Sequence, residues 1–232
     1  MQKSSKQAVL GFLGGQTFKS GLDCPSGNGW LAHSLAKEKT DLELDGVDLY
    51  VDEAEGYRKI WQADLDDGLP DEAGKYDLIC CCEGIEHVGN LLGLLRSCRK
   101  HLNEDGLLIV TTPNVWFPQA RLQYFLRGFF PSPPPLGDKI KPGTHIYITP
   151  WSYPQLYVYL KLAGFDVPEI ISEPLSRPKH FHERLLGIPG KFYSRRKVRK
   201  AMTDEERRYW QITSQNELLY GRHLIVYSRP VT

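Results

Sequence analysis

The sequence predicts an α/β fold, a mostly parallel sheet with helices on both faces and an antiparallel strand near the C-terminus. Short apolar runs alternate with longer stretches of helical periodicity, the pattern of a parallel sheet covered by helices. Glycine-rich or polar turns separate the two kinds of segment, as at Pro25–Gly29 and Asn103–Gly106. Strands are expected near Gly21–Cys24, Asp45–Leu49, Tyr76–Cys82 and Leu107–Thr112, with later extended runs at Asp166–Ile171 and Arg222–Ser228. Helices are expected at Gly29–Ala36, Leu91–Leu102, Pro118–Leu126 and Tyr153–Ala163. The Leu91 helix places Leu91, Leu92, Leu94, Leu95, Cys98 and Leu102 on a core-facing stripe.

A length of 232 residues suits one large domain spanning 1–232. Two segments interrupt it. An insert at about 116–144 contains Pro131, Pro133, Pro134, Pro135 and Pro142, so part of it must be loop. A segment at 177–200 carries Arg177, Lys179, Arg184, Lys191, Arg195, Arg196, Lys197, Arg199 and Lys200 against Glu183 alone. The formal net charge of +1 supplies no global field toward nucleic acid or an anionic surface, so such a partner must be met locally. The apolar stretch Ala8–Leu13 is too short for a secretory signal, and no window approaches a membrane span. The expectation is a cytoplasmic protein, with peripheral membrane contact as the alternative. Cys80, Cys81 and Cys82 are consecutive, which points alternate thiols to opposite faces of a strand and gives no metal-ligand spacing. The five cysteines are expected to be buried free thiols, with no metal bound.

The chemistry-bearing stretch is Leu22-Asp23-Cys24-Pro25-Ser26-Gly27-Asn28-Gly29-Trp30. A strand ends and a helix begins across small residues, a turn that brings backbone N–H groups close to a ligand at a helix N-terminus. It lacks the Gly-Lys-Ser/Thr of a Walker loop and the spacing of a GxGxxG fingerprint. Asp48 closes the second strand, where a carboxylate can accept from both hydroxyls of a ribose. Asp64, in Ala63-Asp64-Leu65, is placed to accept from an adenine amine.

Taken in order, these motifs resemble the class I S-adenosyl-L-methionine-dependent methyltransferases. Asp23, Gly27 and Gly29 match the family's acid-then-glycine motif, with Pro25 in place of its first glycine. Asp48, and Asp64 with Leu65, match the ribose and adenine positions. Tyr76–Ile79 followed by Glu83-Gly84-Ile85-Glu86-His87-Val88 is similar to ubiquinone-biosynthesis-like O-methyltransferases, as are the helix, turn and strand from Leu95 to Asn114. His145, in Gly143-Thr144-His145-Ile146, resembles a recurring histidine of polysaccharide-locus methyltransferases. The resemblance implies a Rossmann-like seven-stranded sheet and S-adenosyl-L-methionine as cofactor. It also implies a cofactor site comprising Asp23, Gly27, Gly29, Asp48, Asp64, Leu65 and Glu83.

For a hydroxyl acceptor, His87 and His145 are the candidate bases, because imidazole titrates near neutrality. Glu83 and Glu86 are weaker candidates at the same edge. The expected acceptor is a small molecule or glycan, with a lipid-linked acceptor, a lid and a homodimer surface as competing readings of the aromatic insert. The absence of a recognisable RNA-binding module argues against nucleic acid. N- or C-methylation of a metabolite or RNA, and a silent cofactor-fold scaffold, stand as rivals to O-methyl transfer.

Overall fold

The computed structural model describes residues 2–37, 42–130, 137, 149, 151–173, 178 and 180–231. In chain order the elements are α1 (Lys3–Gly14), β1 (Ser20–Asp23), α2 (Trp30–Leu35), β2 (Glu43–Asp48), β3 (Lys59–Gln62) and β4 (Tyr76–Cys82). A 3-10 turn at Ile85–His87 leads to α3 (Leu91–His101), β5 (Leu102–Pro113), α4 (Pro118–Arg127) and α5 (Tyr153–Leu162). The C-terminal part comprises β6 (Glu169–Ile170), α6 (Phe181–Val198), α7 (Asp204–Ile212), α8 (Asn216–Tyr220) and β7 (His223–Ser228).

The seven strands form one sheet in the order β3-β2-β1-β4-β5-β7-β6. The first five run parallel, and β7 lies antiparallel to both β5 and β6. Period-two alternation divides β4 between two cores. Ile79 and Cys81 join Leu91, Leu94, Cys98, Leu156 and Leu160 on the α3/α5 face. Leu78, Cys80 and Cys82 meet Val9, Leu13, Leu31 and Leu35 on the α1/α2 face. Both faces of β4 are therefore buried, which is why its sequence reads as one apolar run.

Strand order reverses beside β1, whose neighbours are β2 and β4. In open α/β sheets ligands bind outside the carboxyl ends of the strands at such a switch point. The loops after β1 and after β4 therefore flank the candidate site.

Two sequence expectations are revised. Asn103–Gly106 does not stand outside the sheet as a turn; it lies within β5, where pairing with β4 jumps from Tyr76↔Leu102 to Leu78↔Leu107. The polar residues are accommodated as an irregularity that lets the strand start right after α3. The run Asp166–Ile171 contributes only Glu169–Ile170 as strand, at the edge against β7. Among the described residues, no helix is long and apolar enough to cross a membrane.

Candidate active site

The turn after β1 is built around Asp48. Its Oδ2 accepts from the Gly27 N–H at 2.8 Å, and its Oδ1 accepts from Tyr50 and Val51 N–H at 2.9 and 3.2 Å. Ser26 N–H donates to Val47 O at 2.9 Å, and Gly29 N–H to Ser26 O at 3.1 Å. The N–H groups of Ser26, Gly27 and Gly29 are thus engaged internally, which modifies the expectation of free backbone donors. What the turn offers is shape. Gly27 has φ 51° and Gly29 φ 76°, left-handed conformations that favour glycine. A Cβ on Gly27 would meet nothing within 4 Å, so the turn faces open space, whereas one on Gly29 would touch Ala54 and Tyr57. A carboxylate has about four lone-pair positions, so Asp48 retains acceptor capacity on Oδ2.

Asp23 lies beneath this turn, fully buried. Tyr57 donates its hydroxyl to Asp23 Oδ2 at 2.6 Å, while Oδ1 is buried with no hydrogen-bond partner. Burial pushes the Asp23 carboxyl up to about 8, overcoming the opposing effect of the Tyr57 bond. Asp64 is exposed and accepts from Asp66 N–H at 2.9 Å; the adjacent Leu65 is buried. Asp66 in turn accepts from Gly89 and Asn90 N–H at 2.6 and 3.0 Å. The Asp64 loop is thereby tied to the entry of α3, where Asn90 caps by accepting from Gly93 N–H.

The loop after β4 closes the opposite side. Glu83 holds φ 54°, a left-handed conformation uncommon for a residue with a side chain and concentrated at functional sites. It is held there by its N–H to Thr111 O at 3.0 Å and by the Thr111 hydroxyl donating to Glu83 Oε1 at 3.2 Å. Glu86 is buried and its Oε2 has no hydrogen-bond partner. Burial, and then the neighbouring Glu83 charge, push the Glu86 carboxyl up to about 7. His87 is half-buried at the end of the same 3-10 turn. His145 lies outside the described residues.

Three further features were not legible in the sequence. Pro25 packs its ring against Gly84, where any Cβ would collide with the ring's Cδ and Cγ. Cys24, Cys81 and Cys98, from three separate elements, bring their sulfurs within 4.8 Å of one another in the core. All five cysteines are buried free thiols, as expected, and this trio gathers three soft donor atoms that residue spacing could not reveal. A cavity of about 330 Å³ opens beyond β5, walled by Trp116, Tyr193, Tyr209 and Trp210 with Arg121 at its side.

Two predictions arise here. Gly84→Ala destabilises the fold by about 1–3 kcal/mol through overpacking, and Pro25→Gly in the same chain recovers much of the loss. Denaturant unfolding of both single variants and the double variant measures the coupling, and additive effects would refute direct contact. For Asp23 the folded-state value of about 8 exceeds the ordinary 3.8, so the folded chain holds the extra proton between them. This group's contribution to stability therefore falls as pH rises from about 4 to about 8. Asp23→Asn removes that slope, so its stability relative to the native chain improves steadily across the window in urea titrations.

Comparisons with known proteins place the chain in a family. A family model described as a methyltransferase domain matches residues 2–170. A ubiquinone biosynthesis O-methyltransferase of Vibrio campbellii is 34% identical over 104 residues, 41% of this chain and 44% of the relative. Another, from Psychrobacter cryohalolentis, is 28% identical over 194 residues, covering 75% and 69%. The chain thus spans less than half the length of the first curated relatives it matches. Among solved structures, a SAM-dependent methyltransferase from Archaeoglobus fulgidus superposes with TM-score 0.56 at 16% identity, covering 97% of this chain and 92% of that one. An O-methyltransferase from a trans-AT PKS multienzyme of Brevibacillus brevis, solved with S-adenosyl-L-homocysteine, gives TM-score 0.54 at 15% identity, covering 98% and 72%. At those identities the likeness is one of fold. With the family model extending over well more than half its length, the chain belongs to the methyltransferase domain family.

Proposed function

We propose that this chain is an S-adenosylmethionine-dependent methyltransferase that methylates a hydroxyl of a small-molecule or glycan acceptor. The observation that carries the reading is the Asp48-centred turn, whose open side at Gly27 admits close approach of a ligand. The residues present fit the cofactor. Gly27 leaves unfilled the space a side chain would occupy, Asp48 retains a lone pair for a ribose hydroxyl, and exposed Asp64 beside Leu65 is available to an adenine amine. Asp23 acts from beneath, fixing the turn through Tyr57. When bound, the cofactor supplies a methyl group on a sulfonium that carries its own leaving group.

The chain's remaining task is to orient an acceptor, exclude water and accept a proton. Glu86 suits the last role better than the histidines alone. It sits at the carboxyl edge with a buried Oε2 that has no hydrogen-bond partner, and burial pushes its carboxyl up to about 7, a range suited to taking a proton at neutral pH. His87 is next in the same turn, and in this reading it orients the site rather than taking the proton. The aromatic cavity beside Arg121 supports an acceptor with a flat or ring-shaped body, since aromatic walls stack on rings and a guanidinium recognises an anionic group.

The cofactor reading is tested by calorimetry with S-adenosylmethionine and S-adenosylhomocysteine. Asp48→Ala weakens binding by about 1–3 kcal/mol, the scale of hydrogen bonds to a charged group. Undiminished affinity in a folded variant would remove Asp48 from the site. With an acceptor in hand, Glu86→Gln lowers kcat by about 10²–10⁴-fold while cofactor affinity barely changes. Because the reactive form is the carboxylate, native turnover rises with pH through about 7, and the variant lacks that rise. A Gln variant with native turnover would leave methyl transfer relying on proximity alone.

A further inference from the structure

Helix α6 is amphipathic in the inverted sense. The face it packs against the protein consists of Glu183, Gly187 and Ser194, all buried. Gly187 lies against the Tyr220 ring and Gly190 near Leu219, so small residues let the helix sit close on α8. Its outward face is bulky and apolar. Phe181 is 75% exposed, Leu185 51%, Ile188 56% and Phe192 68%. At 3.6 residues per turn these four fall within about 60° of arc, a continuous stripe along the helix. An amphipathic helix ordinarily does the opposite, burying its large apolar residues.

The stripe is bordered by cations. Exposed Arg184 and Arg195 lie on one side, exposed Arg196 on the other, and exposed Arg199 and Lys200 follow at the helix end. From Phe181 to Lys200 there are seven Lys and Arg against one acid, the buried Glu183, in a chain whose net charge is only +1. Helix α4 packs beside it through Arg121 Nη1 donating to Leu186 O at 3.3 Å, and carries exposed Phe125 and Leu126 next to exposed Arg127.

We propose that α6 is an interfacial helix that seats the protein on a lipid surface bearing anionic headgroups. Apolar side chains flanked by Lys and Arg are what such a surface binds: the stripe enters the headgroup–acyl boundary while the cations meet phosphates. A second copy of the chain would bring two sets of these cations together, which disfavours the self-associated alternative. The cavity beside Arg121 is lined in part by Gly190 and Tyr193 of the same helix, away from the exposed stripe. The inference stands on the α6 surface with its α4 neighbour and does not depend on the methyl-transfer reading.

The test is flotation of the full chain with phosphatidylcholine vesicles, with and without phosphatidylglycerol, at low and raised salt. The chain is expected to partition onto the anionic vesicles, less so at raised salt, and weakly onto phosphatidylcholine alone. Two variants on exposed positions read the two halves of the surface. Phe181→Ser with Phe192→Ser should lose most of the binding. Arg195→Glu with Arg196→Glu should lose roughly five-fold or more per residue, the worth of one basic side chain near an anionic surface. Absence of partitioning by the native chain would overturn the proposal, as would equal binding to both vesicle types or binding unchanged in both variants. A dimer in light scattering that Phe181→Ser with Phe192→Ser dissolves, without vesicle binding by the native chain, would assign the stripe to a second copy.

Discussion

The Asp48 carboxylate gathers N–H groups from two loops, those following β1 and β2, and so fixes how both leave the sheet. Hydrogen bonds from backbone amides to an ionised acceptor are among the stronger polar contacts available in a protein. Removing this one would release Gly27 from its left-handed position and free Tyr50 and Val51 together. Beneath it, the Asp23–Tyr57 bond holds the floor of the same turn. The carboxyl edge is therefore organised by acids that point into the protein, and its outward side remains open to a ligand.

The architecture was readable where burial imposes a pattern. Tyr76–Cys82 was expected as a strand and occurs with those bounds, because a strand covered on both faces must be apolar throughout. β3 went unread, since Lys-Ile-Trp-Gln at a sheet edge has no buried residue and carries no such mark. α1 was considered only as a short apolar run, and of its residues Ser5, Ala8, Val9 and Leu13 alone are buried. Helix α7 carries few buried residues and α8 spans only Asn216–Tyr220, and the sequence of α6 is marked by its charge more than by its apolar stripe. Charge draws the eye first in a basic run, whereas the stripe emerges only when the helix is known and its residues are placed around it.

The candidate site was legible in part for a related reason. A position set by a strand end, such as Asp48, follows once the strand is placed, whereas Asp64 rests on the motif Ala63-Asp64-Leu65 and the resemblance. Tyr57 with Asp23, and Cys24 with Cys81 and Cys98, depend on contacts between distant segments that no local spacing encodes. Glu86 was ranked below the histidines because side-chain type alone favours imidazole near neutral pH. Burial moves the Glu86 carboxyl up to about 7, an effect of the fold that side-chain type does not announce.

The packing of Pro25 on Gly84 constrains both positions. Exchanging Pro25 for glycine first leaves only a small gap, which neighbouring side chains can fill at modest cost. Enlarging Gly84 first drives a methyl group into the ring. The two changes are therefore not interchangeable in order: replacing Pro25 first opens room at position 84, whereas enlarging Gly84 first does not. The proline acts as a latch on its partner: while its ring stands against position 84, a side chain there must displace it.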